Sequence, residues 1–197
     1  MKIIFFGDSV TETGRDASNP KDLGTGYVKF AEGKFRLLYP ETRFEFLNRG
    51  VGGDCVSDLA ARIQRDVLDE KPDVVVLQVG INDVMQEKLN ENEFGAAYGE
   101  LVEQLKNSGA TVLILQPFAL PIGDAARFRP RLNAFQKAIK AAADRNGVHV
   151  IPMDEVFIGT TQDITPTQFS TDGIHPTHRG HRYLADFVVK ALKKCAI

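Results

Sequence analysis

The chain has no tryptophan, only two cysteines and only four histidines among 197 residues. Without tryptophan, any aromatic recognition falls to tyrosine and phenylalanine. Cys55 and Cys195 lie far apart and form neither a metal-type spacing nor a disulfide framework, so the expected setting is reducing and cytoplasmic. Charge of neither sign is in excess: 24 Lys and Arg stand against 26 Asp and Glu, a formal net charge of −2. That balance leaves no footprint for nucleic acid or an anionic membrane surface. No apolar run approaches the ~20 residues of a membrane span. The N-terminal apolar stretch is too short for a secretory signal and runs straight into Gly7-Asp8-Ser9. Internal repeats, linkers and low-complexity tracts are missing too. One domain over residues 1–197 is expected, long enough to bury a real core.

What is present is alternation. Five short β-branched or aromatic runs, at 2–6, 43–48, 73–79, 111–116 and 148–152, predict strands. Amphipathic stretches at 27–38, 56–68, 93–108, 127–145 and 177–193 predict helices. Strands alternating with helices predict an α/β fold with a parallel sheet covered on both faces. The run Val74-Val75-Val76-Leu77 is continuously apolar, as a central parallel strand should be. Asn107-Ser108-Gly109 and Asn146-Gly147 read as helix stops. Three irregular stretches, 7–26, 117–130 and 157–176, follow strand C-terminal ends, the edge where ligand crevices form in such sheets.

Four segments at that edge carry chemistry. In Gly7-Asp8-Ser9 a glycine turns the chain sharply after the first strand and delivers one hydroxyl. Ser9 reads as a nucleophile with its own N–H as an oxyanion donor, or as a helix cap. Gly50-Val51-Gly52-Gly53 lets backbone N–H groups approach a ligand, with Gly53 as candidate donor. A phosphate cradle is the rival, but no Gly-Lys-Ser/Thr follows. Cys55 beside it has no histidine near in sequence and reads as a small buried residue. Asn82, in Gly80-Ile81-Asn82-Asp83, offers a neutral amide donor, or else caps the next segment. In Asp172-Gly173-Ile174-His175-Pro176 the carboxylate can reach Nδ1 of the imidazole while Nε2 faces Ser9. His175-x-x-His178-x-x-His181 invites a metal reading, but the last two fit a helix face equally well, in surface or supporting roles.

Taken in order, these segments resemble the blocks of the SGNH hydrolases, the GDSL esterase/lipase superfamily, with Val10 where the name-giving leucine stands. The resemblance spans nearly the whole chain. It implies a flavodoxin-like three-layer α/β/α sandwich with about five parallel strands. It also implies ester hydrolysis by Ser9, His175 and Asp172, with Ser9 N–H, Gly53 N–H and the Asn82 amide as oxyanion hole, and neither metal nor organic cofactor. The implied partner is a small-molecule ester, with self-association left open. Gly7-Asp8-Ser9-Val10-Thr11-Glu12-Thr13-Gly14-Arg15 and Leu23-Gly24-Thr25-Gly26-Tyr27-Val28 are similar to a branch of intracellular carbohydrate acetylesterases. Arg15, Tyr27, Phe118 and Phe128 are the candidates for substrate contact, the aromatic ones standing in for tryptophan, and Arg15 reads equally as a brace for the first loop. A lysophospholipase or thioesterase is the alternative within the same chemistry, with residues 117–128 the one loop apolar enough to line a long acyl pocket. A non-catalytic binding module at the glycine loop is the alternative outside it.

Overall fold

The computed structural model describes residues 1–158 and 165–196. Residues 159–164, part of the predicted connection 157–176, lie outside the described residues, as does the Cys195 thiol. In chain order the elements are β1 (Lys2–Gly7), α1 (Ser9–Glu12), α2 (Tyr27–Leu38), β2 (Glu45–Gly50) and α3 (Val56–Ile63), which runs on into one π turn (Gln64–Leu68). There follow β3 (Val74–Gln78), α4 (Ile81–Gln86), α5 (Glu91–Asn107), β4 (Thr111–Leu115) and a 3₁₀ turn (Gly123–Phe128) leading into α6 (Arg129–Asn146). The chain ends with β5 (His149–Ile151), α7 (Met153–Ile158), a second 3₁₀ turn (Pro166–Gln168) and α8 (His178–Ala196).

The five strands are all parallel, in the order β2-β1-β3-β4-β5. Alternation along β1 sets the layers. Ile4 and Phe6 enter a core shared with Leu59 of α3, Phe94 of α5 and Phe135 of α6. Ile3 and Phe5 enter the opposite core with Tyr27 of α2 and Leu184 of α8. The result is the expected three-layer α/β/α sandwich. After β2 the chain recrosses β1 to form β3 on its other side. That reversal opens a crevice beyond the C-terminal ends of β1 and β3.

Several boundaries differ from expectation. The second strand sits two residues later, because Gly50 pairs with Gly7 where the sheet passes against α1. A Cβ on Gly50 would lie 2.2 Å from Glu12 N. Helix α5 starts before residue 93, because Asn90 caps it. Its side chain accepts from Asn92 N–H and Glu93 N–H, while the Glu93 carboxylate accepts from Asn90 N–H. Helices α1, α4 and α7 were not expected, being too short to show a helical period.

Candidate active site

Ser9 is set by its neighbours at the end of β1. Asp8 caps α1, its Oδ1 accepting from Val10 N–H at 3.0 Å. The other oxygen of Asp8 accepts from Gln78 Nε2 at 3.2 Å, Gln78 Oε1 accepts from the Thr11 hydroxyl at 3.1 Å, and Thr11 Oγ1 pairs with the Tyr27 hydroxyl at 3.0 Å. Asn48 Nδ2 donates to Thr11 O at 2.8 Å. Asp8, Thr11, Asn48 and Gln78 are all buried beneath Ser9, yet each is partnered. Burial pushes the Asp8 carboxyl up to about 7, against the opposing pull of the Val10 and Gln78 N–H groups.

A different loop carries the candidate base. Ser9 Oγ lies 3.0 Å from His175 Nε2, and His175 Nδ1 lies 2.6 Å from Asp172 Oδ2. The remaining oxygen of Asp172 accepts from Ile174 N–H and His175 N–H, both at 2.8 Å, and from the Ser170 hydroxyl at 3.0 Å. Ser170 Oγ in turn accepts from Gly173 N–H at 2.8 Å. Partial burial alone would raise the Asp172 carboxyl. The hydrogen bonds from the His175 ring and the two N–H groups overcome it and hold the carboxyl down to about 2. Asp172 is therefore an anion at neutral pH, and an anion on Nδ1 leaves Nε2 free to accept the Ser9 proton.

The glycine loop presents one open donor. Gly50 N–H goes to Asn48 Oδ1 at 2.9 Å, Val51 N–H to Gly7 O at 2.9 Å and Gly52 N–H to Glu12 Oε2 at 2.9 Å. Further on, Asp54 N–H goes to Val51 O at 3.3 Å, Cys55 N–H to Asp58 Oδ2 at 2.8 Å and Val56 N–H to the Asp83 carboxylate at 3.1 Å. Gly53 N–H has no acceptor among the described residues, and its φ of +85° is one that glycine adopts without strain. Asn82 Nδ2 donates to Asp54 O at 3.0 Å, which orients the amide and leaves its second hydrogen open. Ser9 N–H likewise has no acceptor among the described residues. Asp83, next to Asn82, is buried, and burial pushes its carboxyl up to about 6.

The structure thus brings Ser9, His175 and Asp172 together, with Gly53 and Asn82 following the adjoining strands β2 and β3. Two of the three aromatic candidates it withdraws into the cores. Tyr27 is 0 % exposed and Phe118 3 % exposed, so neither ring offers a face to a substrate. Tyr27 stacks in the core near Phe5 and His181, and Phe118 packs against Phe157 with ring centroids 4.7 Å apart. Both correct the expectation of substrate contact, for the same reason: these rings fill the space between sheet and helices. Phe128 is half-buried, with the Arg127 guanidinium 4.8 Å over its ring. Arg15 braces the first loop, donating from Nη2 to Gly50 O at 2.7 Å. Among the histidines, His178 meets the edge of the Phe30 ring on the surface. His181 is buried and accepts from Tyr27 N–H at Nδ1, 3.2 Å away. Burial pushes the Cys55 thiol up to about 11, with the Asp83 and Asp58 carboxylates adding to it, which disfavours a thiolate nucleophile there.

Arg62 is a residue the sequence did not single out. On an amphipathic helix an arginine reads as solvent-facing. Here it donates to Gly7 O at 3.1 Å, Arg49 O at 2.9 Å and Asp54 Oδ2 at 2.8 Å, with its guanidinium 4.6 Å over the Phe6 ring. It ties the ends of β1 and β2 to the glycine loop. The only sequence signal is its position, near the end of the helix that this loop opens.

The chain is similar to known ester hydrolases over most of its length. The chain is 30% identical to an acetylxylan esterase of Geobacillus stearothermophilus, over 93% of this chain and 90% of that protein. The crystal structure of Axe2, an acetylxylan esterase from Geobacillus stearothermophilus, superposes with a TM-score of 0.87, covering 100% of this chain and 94% of the other at 27% identity. An α/β hydrolase from the metagenome of Lake Arreo, Spain, superposes at 0.90, covering 100% and 96% at 28% identity. More distant is the thioesterase 1/protease 1/lysophospholipase L1 of Escherichia coli, 22% identical over 87% of this chain and 79% of that protein. The model of the GDSL-like lipase/acylhydrolase family matches residues 5–183, and the chain belongs to that family, as a carboxylic ester hydrolase.

Proposed function

We propose that the chain hydrolyses small acyl esters, foremost acetyl esters of carbohydrates, through an acyl-serine intermediate. The observation that carries the mechanism is the run Asp172–His175–Ser9, at 2.6 and 3.0 Å, beside three N–H groups with an open hydrogen. His175 Nε2 takes the Ser9 proton as Oγ attacks the ester carbonyl. The developing oxyanion collects donors from Ser9 N–H, Gly53 N–H and the Asn82 amide. The imidazolium, steadied by the Asp172 anion, protonates the leaving alcohol. Water then repeats the sequence, the acid leaves, and Ser9 is restored.

Two observations favour a short acyl group on a sugar. One is the likeness to an acetylxylan esterase. The other is how residues 117–128 are used. Phe118, Ala119, Leu120 and Ala125 are buried in the cores rather than left to line a channel, and Leu120 N–H donates to Gly173 O at 2.8 Å. That loop props the Asp172–His175 segment from below. The longer-chain reading, which would follow the Escherichia coli relative, needs those side chains free for acyl contact.

Initial rates on p-nitrophenyl esters from acetyl to decanoyl, with acetylated xylo-oligosaccharide in parallel and Ser9→Ala as blank, test the reading. A sharp preference for acetyl with acetate released from the oligosaccharide is expected. An optimum at medium or long chains would overturn it in favour of lipid or thioester hydrolysis.

A further inference from the structure

One carboxylate at this site has no part in the mechanism. Glu12 ends α1, one turn after Ser9, and is half-buried. Its Oε2 accepts from Gly52 N–H at 2.9 Å. A Cβ built on Gly52 would lie 2.7 Å from Glu12 Oε2 and 3.8 Å from Ser9 Cβ, so one methyl group would touch both side chains. Glu12 therefore flanks the nucleophile on the glycine-loop side. Among the described residues its Oε1 has no hydrogen-bond donor and its carboxylate no cation within ion-pair distance. Two arginines of the adjoining segments bond other groups. Arg15 donates to Gly50 O, and Arg62 is bonded to Asp54 and Asp66. Under the esterase reading an acetyl group offers no hydrogen-bond donor, so an unpaired carboxylate beside Ser9 can pair only with the alcohol part of the ester.

We propose that Glu12 sets specificity for the alcohol side of the substrate: anchored through Oε2 on the glycine loop, it accepts hydrogen bonds from neutral hydroxyl-bearing alcohols at Oε1 and repels anionic ones. The inference rests on the esterase reading above and narrows it to uncharged polyhydroxy leaving groups. Physically the two halves are one effect. A carboxylate acceptor makes a stronger hydrogen bond to a hydroxyl than a neutral acceptor does. The same charge is repulsive toward a phosphate or carboxylate brought within a few ångströms in a partly desolvated crevice. Gly52 serves both ends: its N–H fixes the carboxylate, and its missing side chain keeps the space between Glu12 and Ser9 open.

The test uses three acetyl esters that share one acyl group and differ in the alcohol. They are acetylated xylo-oligosaccharide, p-nitrophenyl acetate and the anionic para-acetoxybenzoate. Wild type, Glu12→Gln, Glu12→Ala and Glu103→Gln are compared by kcat/KM. Ratios between substrates cancel any general effect of the charge on the oxyanion, which is the same for all three. In Glu12→Gln the oligosaccharide is expected to lose about tenfold relative to p-nitrophenyl acetate, mainly through KM. The anionic ester is expected to gain about fivefold, a gain that shrinks as salt is added. Glu12→Ala also releases Gly52 N–H and is expected to lose rate on all three, with the same direction of ratios. Glu103→Gln removes an equal charge from an exposed position on α5 and is expected to move neither ratio. If the Glu12→Gln ratios match wild type, or Glu103→Gln shifts them as much, the proposal is overturned. If wild type cleaves p-nitrophenyl acetate but releases no acetate from the oligosaccharide, the carbohydrate reading fails. Glu12 is then judged by the anionic ester alone, and an unchanged ratio there overturns it as well.

Discussion

The two halves of this site are built in opposite ways. The half that holds Ser9, Gly53 and Asn82 is drawn from the ends of three adjacent strands. It rests on a buried polar layer of Asp8, Thr11, Asn48 and Gln78. The half that holds Asp172 and His175 is one short loop whose two key side chains are 51 % and 54 % exposed. It keeps its shape mainly through bonds among near neighbours, from Ser170 to the bridge that pairs Ser170 with Pro176, with Leu120 N–H on Gly173 O as a prop from outside the loop. The difference follows from what each half would do in the proposed mechanism. Oxyanion donors act only if several N–H vectors converge on one point, which needs long-range structure that does not relax. A base and its orienting carboxylate need only two aligned hydrogen bonds, and those can be encoded within four residues.

The comparison breaks most visibly at the proton-transfer half. His175→Ala should lose activity on p-nitrophenyl acetate on the order of 10⁴-fold or more at neutral pH, since among the described residues His175 is the one proton acceptor hydrogen-bonded to Ser9 Oγ. Because His175 is half-exposed on a locally held loop, its Tm should stay within a few degrees of wild type. A His175→Ala protein with near-normal rates would remove Ser9 from the chemistry. Asn82→Ala probes the other half. Loss of one oxyanion donor should lower kcat by about 10²–10³-fold with KM little changed. A loss expressed in KM instead would make Asn82 a ground-state contact.

This division also explains what was legible in the sequence. Asp172 and His175 could be read because their geometry is local: three residues apart, with glycine and proline shaping the turn. The strands could be read because β-branched runs such as Val74-Val75-Val76 have few other uses. Arg62 and Glu12 could not. Their roles come from chain segments that meet only after the sheet has formed, and nothing in a helical period separates an arginine on solvent from one on a carbonyl cluster. Tyr27 and Phe118 failed for the converse reason. An aromatic near a motif is as useful to the core as to a ligand, and here the cores took both.

A finer test lies where the two halves are tied together. His181 of α8, the helix that follows the Asp172–His175 loop, accepts the first N–H of α2 through Nδ1. Burial, followed by the nearby His178 and His175, pushes its pKa down to about 4. An unfolded histidine titrates near about 6.5, so between these values the unfolded chain binds more protons than the folded one. The stabilisation is therefore present above about pH 6.5 and is lost as pH falls toward about 4. Asp8 runs the other way, its raised carboxyl favouring the folded state at low pH, but it is common to wild type and variant and cancels in their difference. In Tm measured against pH, wild type should fall more steeply than His181→Gln across that window. Parallel curves would mean that His181 does not tie the halves through a neutral imidazole.

The smallest expected effect tests the corrected role of Tyr27. Among the described residues its hydroxyl pairs with Thr11 Oγ1 alone, at 3.0 Å, inside the layer that supports Ser9. Thr11 directs its own proton to Gln78 Oε1, so the tyrosine is the donor and its loss leaves Thr11 short of one partner rather than isolated. Tyr27→Phe keeps the ring that packs against Phe5 and should cost about 1 kcal/mol of stability, read by denaturant unfolding. KM for acetylated xylo-oligosaccharide should not move, because no part of the ring reaches solvent. A raised KM with unchanged stability would restore Tyr27 as a substrate contact. A lowered kcat with KM unchanged would show instead that the rigidity of the buried layer is transmitted to Ser9, one turn of backbone away.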